Sequence, residues 1–203
     1  MQHSPAMFIG DAPAMDFLNS IATPVDIPVD WLDDGEGLLD WLEQAGLVPA
    51  QALHSIRIGA RPGELDEMAD QARQLREWFR GFVLEHKRQT LPADALLALE
   101  PLNRLLDRDD RFSRIVAGDH GDGFELQTLR RWRSPEALLL PVVETLATFV
   151  CEESFADVKA CEGPACTLLF VDHTRGHKRR WCSMALCGNR AKQAAHRQRL
   201  KAR

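Results

Sequence analysis

The sequence predicts an α+β protein in two parts: a mostly helical N-terminal domain with a β-hairpin or small sheet over residues 1–156, and a small cysteine-stapled module over residues 157–203. Three observations predict it. Between residues 37 and 106 apolar residues recur at steps of three and four, the period of an amphipathic helix. Two alternating segments flank a glycine-rich stretch at 118–123, which marks a reversal between strands. Cysteines at 161, 166, 182 and 187 then stand in two pairs, the fifth, Cys151, lying apart. A chain of 203 residues with 45% hydrophobic content suits one domain plus an appended module, and can bury a real core.

Residues 37–45 (GLLDWLEQA) read as a short amphipathic helix stopped by Gly46 in the position just past its end. Residues 49–58 read as a second short helix. Residues 64–88 carry the strongest helical signal, with Leu65, Met68, Ala72, Leu75, Phe79, Phe82 and Val83 on one face. The pattern continues over 94–106 through Leu96, Leu97, Leu99, Leu102, Leu105 and Leu106. Residues 112–117 and 124–132 read as strands, joined by a loop holding Asp119, His120 and Asp122. Ser134 is placed to cap a helix with Pro135 at its first position, running to about Glu153. Cys151, near its end, reads as a buried small apolar residue.

Compartment and charge narrow the function. The richest apolar run, residues 137–150, is interrupted by Pro141 and Glu144 and is too short to span a membrane. Residues 1–10 lack a basic segment followed by an apolar one, so the expectation is a cytoplasmic protein without a membrane role. The net charge of −5 hides an asymmetry. Residues 157–203 hold 11 Lys and Arg against Asp157, Glu162 and Asp172, a balance of +8, which leaves −13 on the rest. A basic tail on an acidic body points to a polyanionic partner for the tail.

The cysteines follow C-x4-C, fifteen intervening residues, then C-x4-C. Two tight pairs separated by enough chain for a hairpin suit a tetrahedral zinc ion. Gly163 and Pro164 let the first pair fold back on one metal. Residues 167–171 read as a strand, 173–176 as its turn, and Trp181 and Cys182 as the returning strand. Ser183 then caps a helix towards Leu200. Knuckle, hairpin and helix make a treble-clef-like zinc finger. Its own core is small, so metal binding would supply its folding free energy, about 10–16 kcal/mol in comparable fingers. Disulfides would need an oxidising compartment. His173 or His177 standing in for one sulfur remains open, since imidazole also binds zinc. Four thiolates close the coordination shell, which makes the Zn2+ structural and leaves no position for a substrate.

The string at 180–192 (RWCSMALCGNRAK) closely resembles the CGNR zinc finger, whose tetrapeptide stands here as Cys187, Gly188, Asn189 and Arg190. Cys161, Cys166 and the following Leu169, Phe170, Val171 and Asp172 resemble its first half. Residues 16–20 (DFLNS), 40–42 (DWL) and 45–47 (AGL) resemble the ABATE domain that precedes this finger. The resemblance implies a stress-induced bacterial transcription regulator whose finger binds DNA.

On that reading Arg175, Lys178, Arg179 and Arg180 around the hairpin contact DNA, together with Asn189, Arg190, Lys192, Arg197, Arg199 and Lys201 on the helix. Each phosphate they neutralise would release counterion. A tetrathiolate zinc carries two net negative charges, so two or three of these cations compensate the metal instead. Arg190, Arg197 and Lys201 share one helix face, with Lys192, Arg199 and Arg203 opposite. Asn189 and Arg190 have the chemistry to read adenine and guanine, although Asn189 at the helix start suits a structural role equally well. Trp181 reads as apolar cover for the metal.

Other classes remain as alternatives. The zinc module can instead dock a protein or RNA without reading DNA sequence. An enzyme is not expected: His54, His86 and His120 are scattered, and neither a nucleophile elbow nor a phosphate-binding glycine loop is present. An unknown small-molecule effector or a homodimer contact would fall to the body. Asp16, Asn19 and Trp41, short polar groups beside aromatics, are the candidate ligand residues. The competing reading, in which Trp41 with Phe17, Leu18 and Trp31 is core and Asp16 and Asn19 brace the chain, is the stronger.

Overall fold

A computed structural model describes residues 5–23, 27–118 and 123–201. The loop carboxylates and histidine at Asp119, His120 and Asp122, and the terminal Arg203, lie outside them.

The chain is α+β and mostly helical, with three small antiparallel two-stranded sheets. A short helix α1 (Pro13–Leu18) leads to strands β1 (Ile21–Ala22) and β2 (Val29–Asp30). Helix α2 (Gly35–Gln44) starts at Asp34, whose carboxylate accepts from the Gly37 amide at 2.8 Å. It ends as the sequence predicts. Gly46 sits at φ +66, its amide bonded to Glu43 O and that of Leu47 to Leu42 O, the double bond that closes a helix end. Helices α3 (Ala50–Gly59) and α4 (Glu64–His86) follow.

The helix expected over 94–106 is two pieces, α5 (Ala95–Ala98) and α6 (Glu100–Leu106). Pro101 lacks the amide that would continue the ladder, and its ring opposes the carbonyl four residues back. The hairpin β3 (Arg111–Ala117) and β4 (Phe124–Arg130) pairs in seven-residue register, with Ile115 opposite Leu126. Ser134 makes no side-chain cap; it precedes a tight 3-10 turn, Pro135–Leu139, that opens into α7 (Leu140–Glu152). Cys151 is exposed, not buried, because it lies on the outer side of α7, whose Val143, Leu146 and Phe149 face the core.

The core is built around α1, which packs against α4 and α7. Phe79, Phe82, Phe149 and Phe155 form an aromatic knot with centroids 5.3 to 6.2 Å apart. Phe155 belongs to the segment joining the two parts, and its carbonyl accepts from the Arg88 amide at 2.7 Å. The same hydrophobic cluster continues through Val158 and Leu168–Val171 to the cysteines. None of the described helices is long and apolar enough to cross a membrane.

Strand β6 (Leu169–Val171) does not pair with residues 181–182, as the sequence predicts. It pairs with β5 (Val158–Ala160), upstream of the first cysteine. Residues 168–171 are buried on both faces, so alternation cannot reveal the partner. The consequence is that the first cysteine pair is the loop of the β5–β6 hairpin, closed by Cys161 N to Leu168 O at 2.9 Å. After Ser183, which caps through the Ala185 amide, one π turn (Met184–Gly188) runs into α8 (Asn189–Lys201).

Candidate metal centre and basic face

The four cysteines converge: one sulfur from each lies within 4.8 Å of all the others. Cys166 and Cys182 are 3.8 Å apart, Cys182 and Cys187 3.7 Å. Four sulfurs about 2.3 Å from one ion define a tetrahedron with edges of about 3.8 Å. The spacing therefore suits a tetrahedral thiophilic cation. Two backbone amides, of Gly163 at 3.4 Å and Cys182 at 3.3 Å, point at the Cys161 sulfur, as they would at a thiolate. Gly163 is required by space. A Cβ there would stand 3.0 Å from the Cys187 sulfur and 3.1 Å from Cys166 Cβ.

Protonation tells the same story. The facing thiol of Cys182 pulls Cys166 down to about 5, while burial pushes Cys187 up to about 12 and the negative Cys166 raises Cys182. Without a cation, one thiolate forces its neighbours to keep their protons. A divalent ion lets all four ionise.

The turn between the cysteine pairs is organised by Asp172, which is fully buried. Its carboxylate accepts from Lys159 Nζ at 2.6 Å, the Thr174 hydroxyl at 2.5 Å and the amides of Thr174 and Arg179. These bonds hold its pKa below the usual carboxylate range despite burial. His173 meets Glu153 at 2.9 Å, which ties the turn to the body, and His177 meets Asp157 at 2.7 Å at the start of the module.

The basic residues divide by environment. Arg179 is turned inward: it bonds Trp181 O at 2.9 Å, Cys182 O and the carboxylate of Asp11, and stacks on Phe170 at 4.3 Å. It thus binds the N-terminal segment to the metal module. Arg180 covers Trp181 at 4.8 Å and pairs with Glu162 at 2.6 Å. Arg190 bonds Leu186 O at 2.9 Å and lies beside Cys166 and Cys187, placed to compensate the metal. Arg175, Lys178, Lys192, Arg197 and Arg199 are exposed, as is Asn189 at the start of α8. Lys201 closes α8.

Of the three candidate ligand residues, Asn19 stands apart from the other two. Asn19 is 1% exposed and serves the finger: its amide donates to Leu169 O at 2.8 Å and its oxygen accepts from Leu169 N at 2.9 Å. Trp41 is 2% exposed, edge-on to Phe17 at 5.7 Å. Asp16 accepts from the Gly10 amide at 2.8 Å, and burial raises its carboxyl to about 6. Asp16 and an edge of Trp41 do line one cleft.

Sequence reasoning missed three anchors. Arg76 is buried against Asp30, with two contacts of 2.7 Å, and Ser20 at 3.0 Å. Its neighbours on α4, Arg73 and Arg80, bond Leu32 O and Leu18 O. Together they grip the segment that presents Asn19. Asp172 and Glu153 are the others. No local signal distinguishes such residues from a solvated charge.

Comparison with known proteins agrees with this architecture. The ABATE family model, described as "Putative stress-induced transcription regulator", matches residues 11–153. The CGNR zinc finger model matches residues 158–200. A search of curated proteins finds no match. The chain belongs to the ABATE family, and its metal-binding module is a CGNR zinc finger.

Proposed function

We propose that this protein is a DNA-binding transcription regulator in which one structural Zn2+, held by Cys161, Cys166, Cys182 and Cys187, fixes the surface that meets DNA. The observation that carries the reading is the exposed basic set Arg175, Lys178, Lys192, Arg197 and Arg199, displayed on the metal module of a chain whose remainder is strongly acidic. Four thiolates fill a tetrahedral shell, so the ion's work is to hold the turn and the start of α8, and no catalytic role is assigned.

Helix α8 packs on the Met184–Gly188 turn of the metal module through its first turns. Ala191, Ala194 and Ala195 are half-buried, while residues 196–200 are exposed all round. Such an arm can lie in a groove with Arg197 towards the bases and Lys192 and Arg199 towards flanking phosphates. The acidic body repels a polyanion, which leaves the finger as the favourable approach.

The test is binding of duplex DNA by zinc-loaded protein across a salt series. Replacing Lys192, Arg197 and Arg199 by alanine should reduce the log–log salt slope by about 3, near 0.9 per phosphate contact. Arg179→Ala should leave that slope unchanged. Zinc-loaded protein that fails to bind DNA at low salt would reject this function in favour of a protein- or RNA-docking module.

A further inference from the structure

Two clefts on the body meet at Pro13 and Leu47. The larger, about 380 Å³, lies between the start of α1, the Gly46 corner and one face of α7. The second, about 350 Å³, continues past Asp16 to the edge of Trp41. Their size falls in the range of small-molecule sites.

The lining chemistry is one-sided. Asp16, Glu144, Glu152 and Glu153 bring carboxylates, and Phe149, Leu47 and Trp41 bring apolar surface. Among the described residues Arg130 is the one cationic side chain in the lining, and it is spent. Its guanidinium holds Asp109 at 2.6 and 2.7 Å and Glu144 at 3.0 Å, with Arg111 also on Glu144 at 2.6 Å. An anionic ligand would therefore find no uncommitted cation. A cationic one would find Glu152 at one end and Asp16 at the other, over an apolar floor. The raised carboxyl of Asp16 is consistent with a group that lacks a positive partner.

The same walls hold the finger. Glu153 reaches out of the cleft to His173 on the finger's turn. Asp16 fixes Gly10, whose carbonyl accepts from Val171 N on β6 at 2.9 Å. Any occupant that engages these carboxylates acts on both struts.

We propose that this cleft binds a small organic ammonium ion with an apolar body, and that the bound cation draws Glu153 from His173 and loosens the DNA-binding turn. The regulatory half rests on the DNA-regulator reading above; the binding half does not.

The probe is 2-phenylethylammonium, titrated into the zinc-loaded full chain against 2-phenylethanol and phenylacetate. Binding is read by tryptophan fluorescence and by amide NMR shifts. The ammonium should bind saturably, about tenfold tighter than the alcohol because its contacts to carboxylates are charge-assisted, with phenylacetate not binding. Glu152→Gln should weaken it without unfolding the chain, since Glu152 is an exposed helix-end residue. Amide shifts should extend to residues 173–178, and saturation should weaken DNA binding by about tenfold, an ordinary coupling. His173→Gln lies outside the cleft and should keep ammonium binding while abolishing that coupling. Equal responses to all three probes, or none to the ammonium, would overturn the site. Ammonium binding with unchanged DNA affinity would overturn the coupling alone. Loss of DNA binding by the unliganded protein would strike the function and leave the site standing.

Discussion

Asn19→Ala is the most direct probe of how the finger is seated. The Asn19 side chain supplies both partners of the Leu169 backbone, across 150 residues of sequence, in a position where neither residue is more than 2% exposed. Alanine removes both bonds and leaves a buried amide and carbonyl without partners. Each orphaned group costs about 1–3 kcal/mol, so the expected loss for the two is about 2–6 kcal/mol. Against a total stability of about 5–15 kcal/mol for an ordinary domain, that is a large fraction. The assay is urea unfolding of the reduced, zinc-loaded protein, followed in parallel by helical circular dichroism and by metal release to an indicator. In the parent the two probes should report one transition, because the core is continuous from α1 to the cysteines. In Asn19→Ala metal release should come first. Asn19→Asp keeps the acceptor for Leu169 N but sets a carboxylate against Leu169 O, and should be worse than alanine at neutral pH. A loss below about 0.5 kcal/mol with coincident transitions would refute the clasp, since it would mean that other partners or water satisfy Leu169.

Other outcomes follow from the same contacts. Asp16 holds its proton in the native state to about pH 6, whereas an unfolded carboxyl releases it near pH 4, so stability should fall as pH rises across that window. Asp16→Asn should flatten that slope in melting curves taken from pH 4 to 7. Asp172 has the opposite sign: its depressed pKa contributes stability at neutral pH that is lost as pH drops below about 4. Asp172→Asn should lower the urea midpoint and free the turn, measured as faster amide exchange at residues 174–179. Gly163→Ala should weaken metal binding more than it weakens the helical body, because the added methyl reaches the Cys187 sulfur at 3.0 Å. Competition with a chelator reads this directly.

Features encoded by neighbouring residues were readable without the fold. The metal ligands were legible because four cysteines at short, paired spacings carry their geometry with them, and the sulfurs indeed converge. Helices α2, α3 and α4 and the β3–β4 hairpin were legible from period and punctuation, with the end of α2 set by Gly46. The tertiary structure alone decided which surfaces meet. It paired β6 with β5, because both faces of β6 are covered and its alternation is erased. It turned Arg179 inward onto Phe170 and Asp11, and it exposed Cys151. It used Asn19 as a clasp on Leu169, and it set Glu152 and Glu153 along one cleft and Asp16 along the cleft that meets it. An arginine or asparagine has the same local pattern whether it faces phosphate, protein or water. Its partner is chosen by residues far away in the chain, through packing that no short window of sequence contains.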